Sequence, residues 1–134
     1  MVRKESPPCV WIVDDDEEDV LLIRAAFETA APHVLLRTLF DGEDLLPQLE
    51  ATPAQPGLIL LDLNMRRMGG MEALRWIRAS EGYNHLPVVM MTTSSSPADR
   101  SRSATLGAND YHTKPESFHD LIQLVARLTH QWLA

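Results

Sequence analysis

The stretch Leu58-Ile59-Leu60-Leu61-Asp62-Leu63-Asn64-Met65 constrains the fold more than any other part of the chain. Four aliphatic residues run straight into an aspartate, and Gly69-Gly70 follows shortly. An unbroken aliphatic run of this length reads as a strand covered on both faces, the pattern of a central strand in a parallel sheet. A carboxylate at the end of such a strand is costly to bury. The cost is tolerable if Asp62 sits at the carboxyl edge of an open α/β sheet, where such sheets carry their ligand sites. Taken alone, Asp62 fits a helix cap or a turn equally well.

The flanking segments decide between these readings. Cys9-Val10-Trp11-Ile12-Val13 has the same buried-strand pattern and ends in the acidic run Asp14-Asp15-Asp16-Glu17-Glu18-Asp19. Val20, Ile23, Phe27 and Ala30 then recur at helical spacing, and Pro32 helps to end that helix. Val34-Leu35-Leu36 predicts a second strand, interrupted by Arg37 and Thr38. Asp41-Gly42 reads as a turn. The segment 43–50 reads as a short helix with Leu45, Leu46 and Leu49 inward, kinked or started early at Pro47. A helix over 70–80 carries Ala73, Leu74 and Ile77. A fourth strand over 86–91 leads into Thr92-Thr93-Ser94-Ser95-Ser96, and Ser96-Pro97 has the form of a helix cap and first helical position. The helix to Leu106 is poor in large apolar residues, with Gly107 as its C-terminal stop. Asp110-Tyr111-His112-Thr113 is a short fifth strand closed by Lys114-Pro115. A final helix over 117–132 aligns Leu121, Leu124, Val125 and Leu128 along one stripe.

Five alternations of strand and helix call for a parallel sheet with helices on both faces. Right-handed crossovers put all strand ends on one edge. Asp14, Asp15, Asp62, Thr92 and Lys114 close or directly follow strands, so they are predicted to meet.

The length of 134 residues suits one domain. Residues 9–134 form that domain in this reading, and residues 1–8 form an unstructured lead-in. A net charge of −7 argues against a nucleic-acid partner. No apolar run reaches the length of a membrane span. Cys9 is the only cysteine, which makes a reduced, cytoplasmic setting the default.

Clustered carboxylates raise one another's pKa values, and a divalent cation resolves the conflict. Mg2+ prefers hard oxygen ligands. Asp15 and Asp62 can donate carboxylate oxygens, the Asn64 backbone carbonyl can add a third ligand, and Asp14 is suited to hold a metal-bound water. Lys114 and Thr92 supply a mobile charge and a hydroxyl that suit the oxygens of a phosphoryl group. An aspartate can attack phosphorus and form an acyl phosphate, with catalysis mainly by positioning and charge neutralisation. Singly, each residue has a plainer reading: Lys114 as a surface lysine, Thr92 as a strand end, and 14–19 as a solvated helix start. His33, His85, His112, His119 and His130 lack metal-ligand pairing.

As an ordered set, Val13-Asp14-Asp15, Leu61-Asp62-Leu63-Asn64-Met65, Val89-Met90-Met91-Thr92-Thr93, Gly107-Ala108 and Tyr111-His112-Thr113-Lys114-Pro115 resemble a response-regulator receiver domain of the CheY type, from about Val10 to Leu133. The Leu-Asp-Leu-Asn-Met and Thr-Thr-Ser phrasing is similar to stand-alone regulators paired with phytochrome-type histidine kinases. The resemblance implies a flavodoxin-like (βα)5 fold with strand order 2-1-3-4-5. It implies a single-domain response regulator of a two-component phosphorelay, which takes a phosphoryl group on Asp62 from a kinase phosphohistidine and is not an enzyme on other substrates. Asp14, Asp15 and the Asn64 carbonyl would bind Mg2+ with Asp62. Thr92 and Lys114 would contact the phosphoryl group, and Tyr111 would be an aromatic switch that turns in as Thr92 moves. The Lys114–Pro115 bond would be cis. One position departs from the family: Arg66, followed by Arg67, stands where proline is usual, and this predicts a looser loop beside Asp62.

With no output domain after Ala134, the expected output is docking to a kinase, to a target, or to a second copy through the 97–106 helix, the fifth strand and the last helix. Three alternatives compete. A haloacid-dehalogenase-type phosphatase wants aspartate where Asn64 stands. A flavodoxin-like cofactor module wants a phosphate loop after the first strand, where this chain is acidic. A phosphorylation-independent adaptor would not need the intact acid set and Lys114.

Overall fold

The computed structural model of the chain describes residues 7–133. Five parallel strands form one sheet in the order β2-β1-β3-β4-β5. They are β1 (Cys9–Val13), β2 (Leu35–Leu39), β3 (Leu58–Leu61), β4 (Val88–Thr92) and β5 (Asp110–Thr113). The helices between and after them are α1 (Glu17–Ala30), α2 (Leu45–Ala51, preceded by a 3-10 turn at Gly42–Asp44), α3 (Gly70–Ala79), α4 (Pro97–Thr105) and α5 (Phe118–Leu133).

The pleat sends alternate side chains to opposite faces. Val10, Ile12, Leu58, Leu60, Val89 and Met91 meet α1 and α5 on one side. Trp11, Val13, Ile59, Leu61, Val88 and Met90 meet α2 and α3 on the other. This double coverage explains why β1, β3 and β4 read as continuous apolar runs. On α1 the buried residues are Val20, Ile23, Ala26 and Phe27, while Ala30 is half-buried at the helix end. On α5 the stripe Leu121, Leu124, Val125 and Leu128 is buried as its periodicity requires.

Several local expectations shift. β2 begins at Leu35 and runs through Arg37 and Thr38. Arg37 is tolerated because β2 is an edge strand and its guanidinium lies 4.9 Å from the Trp11 ring centroid. Pro47 lies inside α2, near its start. It is the third residue of the helix, where a backbone N–H would have no partner in any case. Leu46 is half-buried, whereas Leu45 and Leu49 are buried. Of the expected unstructured lead-in, residues 1–6 lie outside the described residues, and the Pro8 carbonyl accepts the Leu35 N–H at 2.8 Å.

Candidate functional site

The parallel registers bring the carboxyl ends of β1, β3, β4 and β5 to one edge. Asp62 follows β3 directly and is 7% exposed. Its N–H donates to the Val13 carbonyl at 3.0 Å, and its Oδ1 accepts the Leu63 N–H at 2.8 Å. Asp14, which follows β1, donates its N–H to Leu39 and accepts the Asp16 N–H. Carboxylate oxygens of Asp14, Asp15 and Asp62 lie within 4.8 Å of one another, close enough for a single cation to touch all three. Hard oxygen donors and two nearly buried acids fit a divalent metal. Asn64 is exposed on the loop two residues beyond Asp62.

Lys114 holds this cluster together. Its Nζ is 2.7 Å from Asp14 Oδ2, 2.7 Å from Asp19 Oδ2 and 3.4 Å from Asp62 Oδ2. Burial alone would lower the ammonium's pKa, but the bonds to Asp14 and Asp19 outweigh it and raise it. Burial pushes Asp14 up to about 6. The Lys114 and Asp16 contacts oppose that rise, and the neighbouring Asp62 charge adds to it. The acids are therefore tolerated partly through an internal cation, and not through a dication alone. The role of Asp19 escapes a periodicity argument, since a helix-start acid and Lys114 stand 95 positions apart.

Thr92 is fully buried at the end of β4, and its Oγ1 accepts the Ser94 N–H at 3.4 Å. Tyr111 is already turned in. Its hydroxyl donates to the Ser94 carbonyl at 2.8 Å, and Arg100 covers its ring at 4.9 Å. In this structure the half-buried Ser94 carbonyl is the acceptor that holds Tyr111 inward. The Lys114–Pro115 bond is trans, against the expected cis form. Trans is the intrinsically favoured isomer, and Lys114 reaches the acid cluster from it.

The loop after β3 is anchored at three successive amides. Arg66 N–H donates to Asp15 Oδ2 at 3.1 Å, while Arg67 and Met68 N–H donate to Asp41 at 2.9 Å each. A proline at position 66 would remove the first of these donors. The looseness expected from Arg66 is thus met by a bond that only a non-proline residue can make. Asp41 looked like a plain turn residue, yet it is buried and also accepts the Glu43 N–H. Burial raises its pKa and the three N–H groups lower it more, so the net shift is downward. Gly70 is required by close approach: a Cβ there would lie 2.1 Å from the Asp62 carbonyl oxygen.

A family model described as the response regulator receiver domain matches residues 10–126. The chain belongs to this family. As a receiver domain it is homologous to stand-alone response regulators of two-component systems, in which phosphorylation on aspartate is typical. It is 31% identical to response regulator Rcp1 of Synechocystis sp., over 99% of this chain and 95% of that protein. The structure of the phosphorylated cyanobacterial phytochrome response regulator RcpA superposes with a TM-score of 0.88 at 30% identity, covering 96% of each chain. The Mn(2+)-bound form of Rcp1 superposes with a TM-score of 0.83 at 31% identity, covering 95% of each. The receiver fold is typically one of signalling, and receiver domains bind divalent metals and partner with histidine kinases. Among the described residues no helix is long and apolar enough to cross a membrane.

Proposed function

We propose that Asp62 is the phosphoacceptor of this receiver and that Mg2+ is its metal. The observation that carries this reading is the meeting of Asp14, Asp15 and Asp62 with the Lys114 ammonium at the carboxyl edge. An Asp62 oxygen attacks the phosphorus of a kinase phosphohistidine. The O–P bond forms as the P–N bond breaks, and the imidazole leaves with the bond's electron pair. Lys114 and Thr92 meet the transferred oxygens. Asp14, Asp15, Asp62 and the Asn64 carbonyl would hold Mg2+, whose charge offsets that of the phosphoryl group. Only this self-directed chemistry is assigned to the chain, which acts on no other substrate.

The cognate donor in this reading is a phytochrome-type histidine kinase in the cytoplasm. The likeness to a phytochrome response regulator supports it. Output runs through α4, β5 and α5, including pairing with a second copy. The sparse burial of α4, where only Ser103 is buried, supports a surface that rearranges at low cost.

Incubation with acetyl phosphate and Mg2+, read by intact mass, tests the core of the proposal. Wild type should gain one phosphoryl group and Asp62→Asn none. Equal labelling of both proteins would remove Asp62 from the role.

A further inference from the structure

Lys114 is shared unequally among three acids. Asp14 and Asp19 each sit 2.7 Å from its Nζ, and Asp62 sits at 3.4 Å. Asp14 and Asp62 belong to the carboxylate cluster that fits a metal, and Asp19 does not. It lies in the first turn of α1, where its N–H donates to the Asp16 cap at 3.0 Å, so the helix fixes its backbone. Among the described residues these three are the only ion-pair partners of Lys114, although Glu17 and Glu18 stand in the same turn.

We infer that Asp19 is a positioning residue that draws the Lys114 ammonium towards α1 and away from Asp62, keeping the acid cluster open to the metal. The inference rests on the reading of Asp62 and Lys114 given above. An ammonium has three donors. Without Asp19, its anionic neighbours are the two acids that the metal also needs. The ammonium then settles between them, masks the Asp62 carboxylate and competes with the dication for the same oxygens. Two cations that share ligands weaken each other reciprocally. Asp19 relieves that competition because it offers Lys114 an anion outside the metal set. It also keeps the ammonium paired when the metal engages Asp14, so no partly buried charge is stranded.

The test uses the full chain and Mg2+ alone, by calorimetry, beside acetyl phosphate labelling across a range of Mg2+ concentrations. Asp19→Asn keeps the side-chain shape and removes its charge. It should weaken Mg2+ binding about fivefold or more, within the usual range for coupled sites. The apparent Mg2+ requirement for labelling should rise by the same factor, while the labelling rate at saturating Mg2+ stays near that of wild type. Glu18→Gln removes the same charge from the same turn without touching Lys114, and should shift Mg2+ binding by less than about twofold. Asp19→Glu should restore most of the affinity. In a Lys114→Ala background, Asp19→Asn should add nothing. A loss no larger than that of Glu18→Gln, or one that persists without Lys114, overturns the inference while labelling of wild type leaves Asp62 in its role. If wild type takes no label, the phosphoacceptor reading fails with it.

Discussion

Two loops flank Asp62, and they are held by different chemistry. After β3, residues 64–69 hang on carboxylates, through Asp15 for Arg66 and Asp41 for Arg67 and Met68. After β4, residues 93–96 hang mainly on hydroxyls. The Ser94 carbonyl accepts from Tyr111 and Thr113, and the Ser94 hydroxyl donates to Asp99. Bonds to ionised acceptors are roughly twice as strong as neutral ones; three of them tie the β3 loop to acids far along the chain, whereas the β4 loop has one, from Ser94 to Asp99 in the helix that follows it. The helices that follow differ in the same sense: α3 buries Ala73, Leu74 and Ile77, and α4 buries Ser103 alone. One wall of the site is thus the more firmly held. The other buries less, so its rearrangement costs less.

The comparison breaks first at the close contact beneath Asp62. Gly70→Ala forces a Cβ against the Asp62 carbonyl and should cost about 3 kcal/mol in urea unfolding, the upper end for overpacking. An unaltered midpoint would mean that this wall is not tight. Asp41→Ala should cost about 2 kcal/mol at neutral pH, because it orphans donors that a charged group had satisfied. Its pH dependence has a definite sign. The folded carboxyl titrates below its ordinary value of 3.8, so its stabilisation is complete above that value and is lost as pH falls through the folded one. The gap between wild type and variant should therefore close under acid, and a gap that stays constant to pH 3 would contradict an ionised Asp41.

A smaller difference separates the helices. Amide exchange should be at least about tenfold faster across 97–105 than across 70–79, equivalent to ~1.4 kcal/mol of easier local opening. A beryllofluoride adduct formed with Mg2+ should alter α4 and β5 more than α3. Changes confined to residues 20–50 would reverse the assignment of moving and static walls. The smallest effect belongs to Arg66→Pro. Proline stiffens the unfolded chain but removes the donor to Asp15, so net stability should move by less than about 0.5 kcal/mol. Hydrolysis of the aspartyl phosphate should change as the Asp15 anchor is lost, and an unchanged rate would strip Arg66 of any part in it.

Much of this architecture is legible in the chain itself. Apolar runs at β1, β3 and β4, the stripe on α5 and the alternation of elements depend on periodicity, which is local. Chirality of the crossovers then brings Asp14, Asp62, Thr92 and Lys114 together without any knowledge of side-chain detail. β2 is less legible because an edge strand tolerates Arg37 and Thr38, which blur the pattern. Asp41 reads as a turn and Asp19 as a helix start, because each has a sufficient local role and a second role far along the chain.

The sequence by itself determined the order of strands and helices and the convergence of acids and lysine, since burial patterns and handedness require nothing more. Only the tertiary structure decided how Lys114 is shared among its acids, which way Tyr111 faces and what anchors the loop at Arg66. For Lys114 the outcome turns on a difference of less than an ångström between Asp19 and Asp62. Hydrogen bonds and ion pairs discriminate at that distance, and hydrophobic periodicity does not.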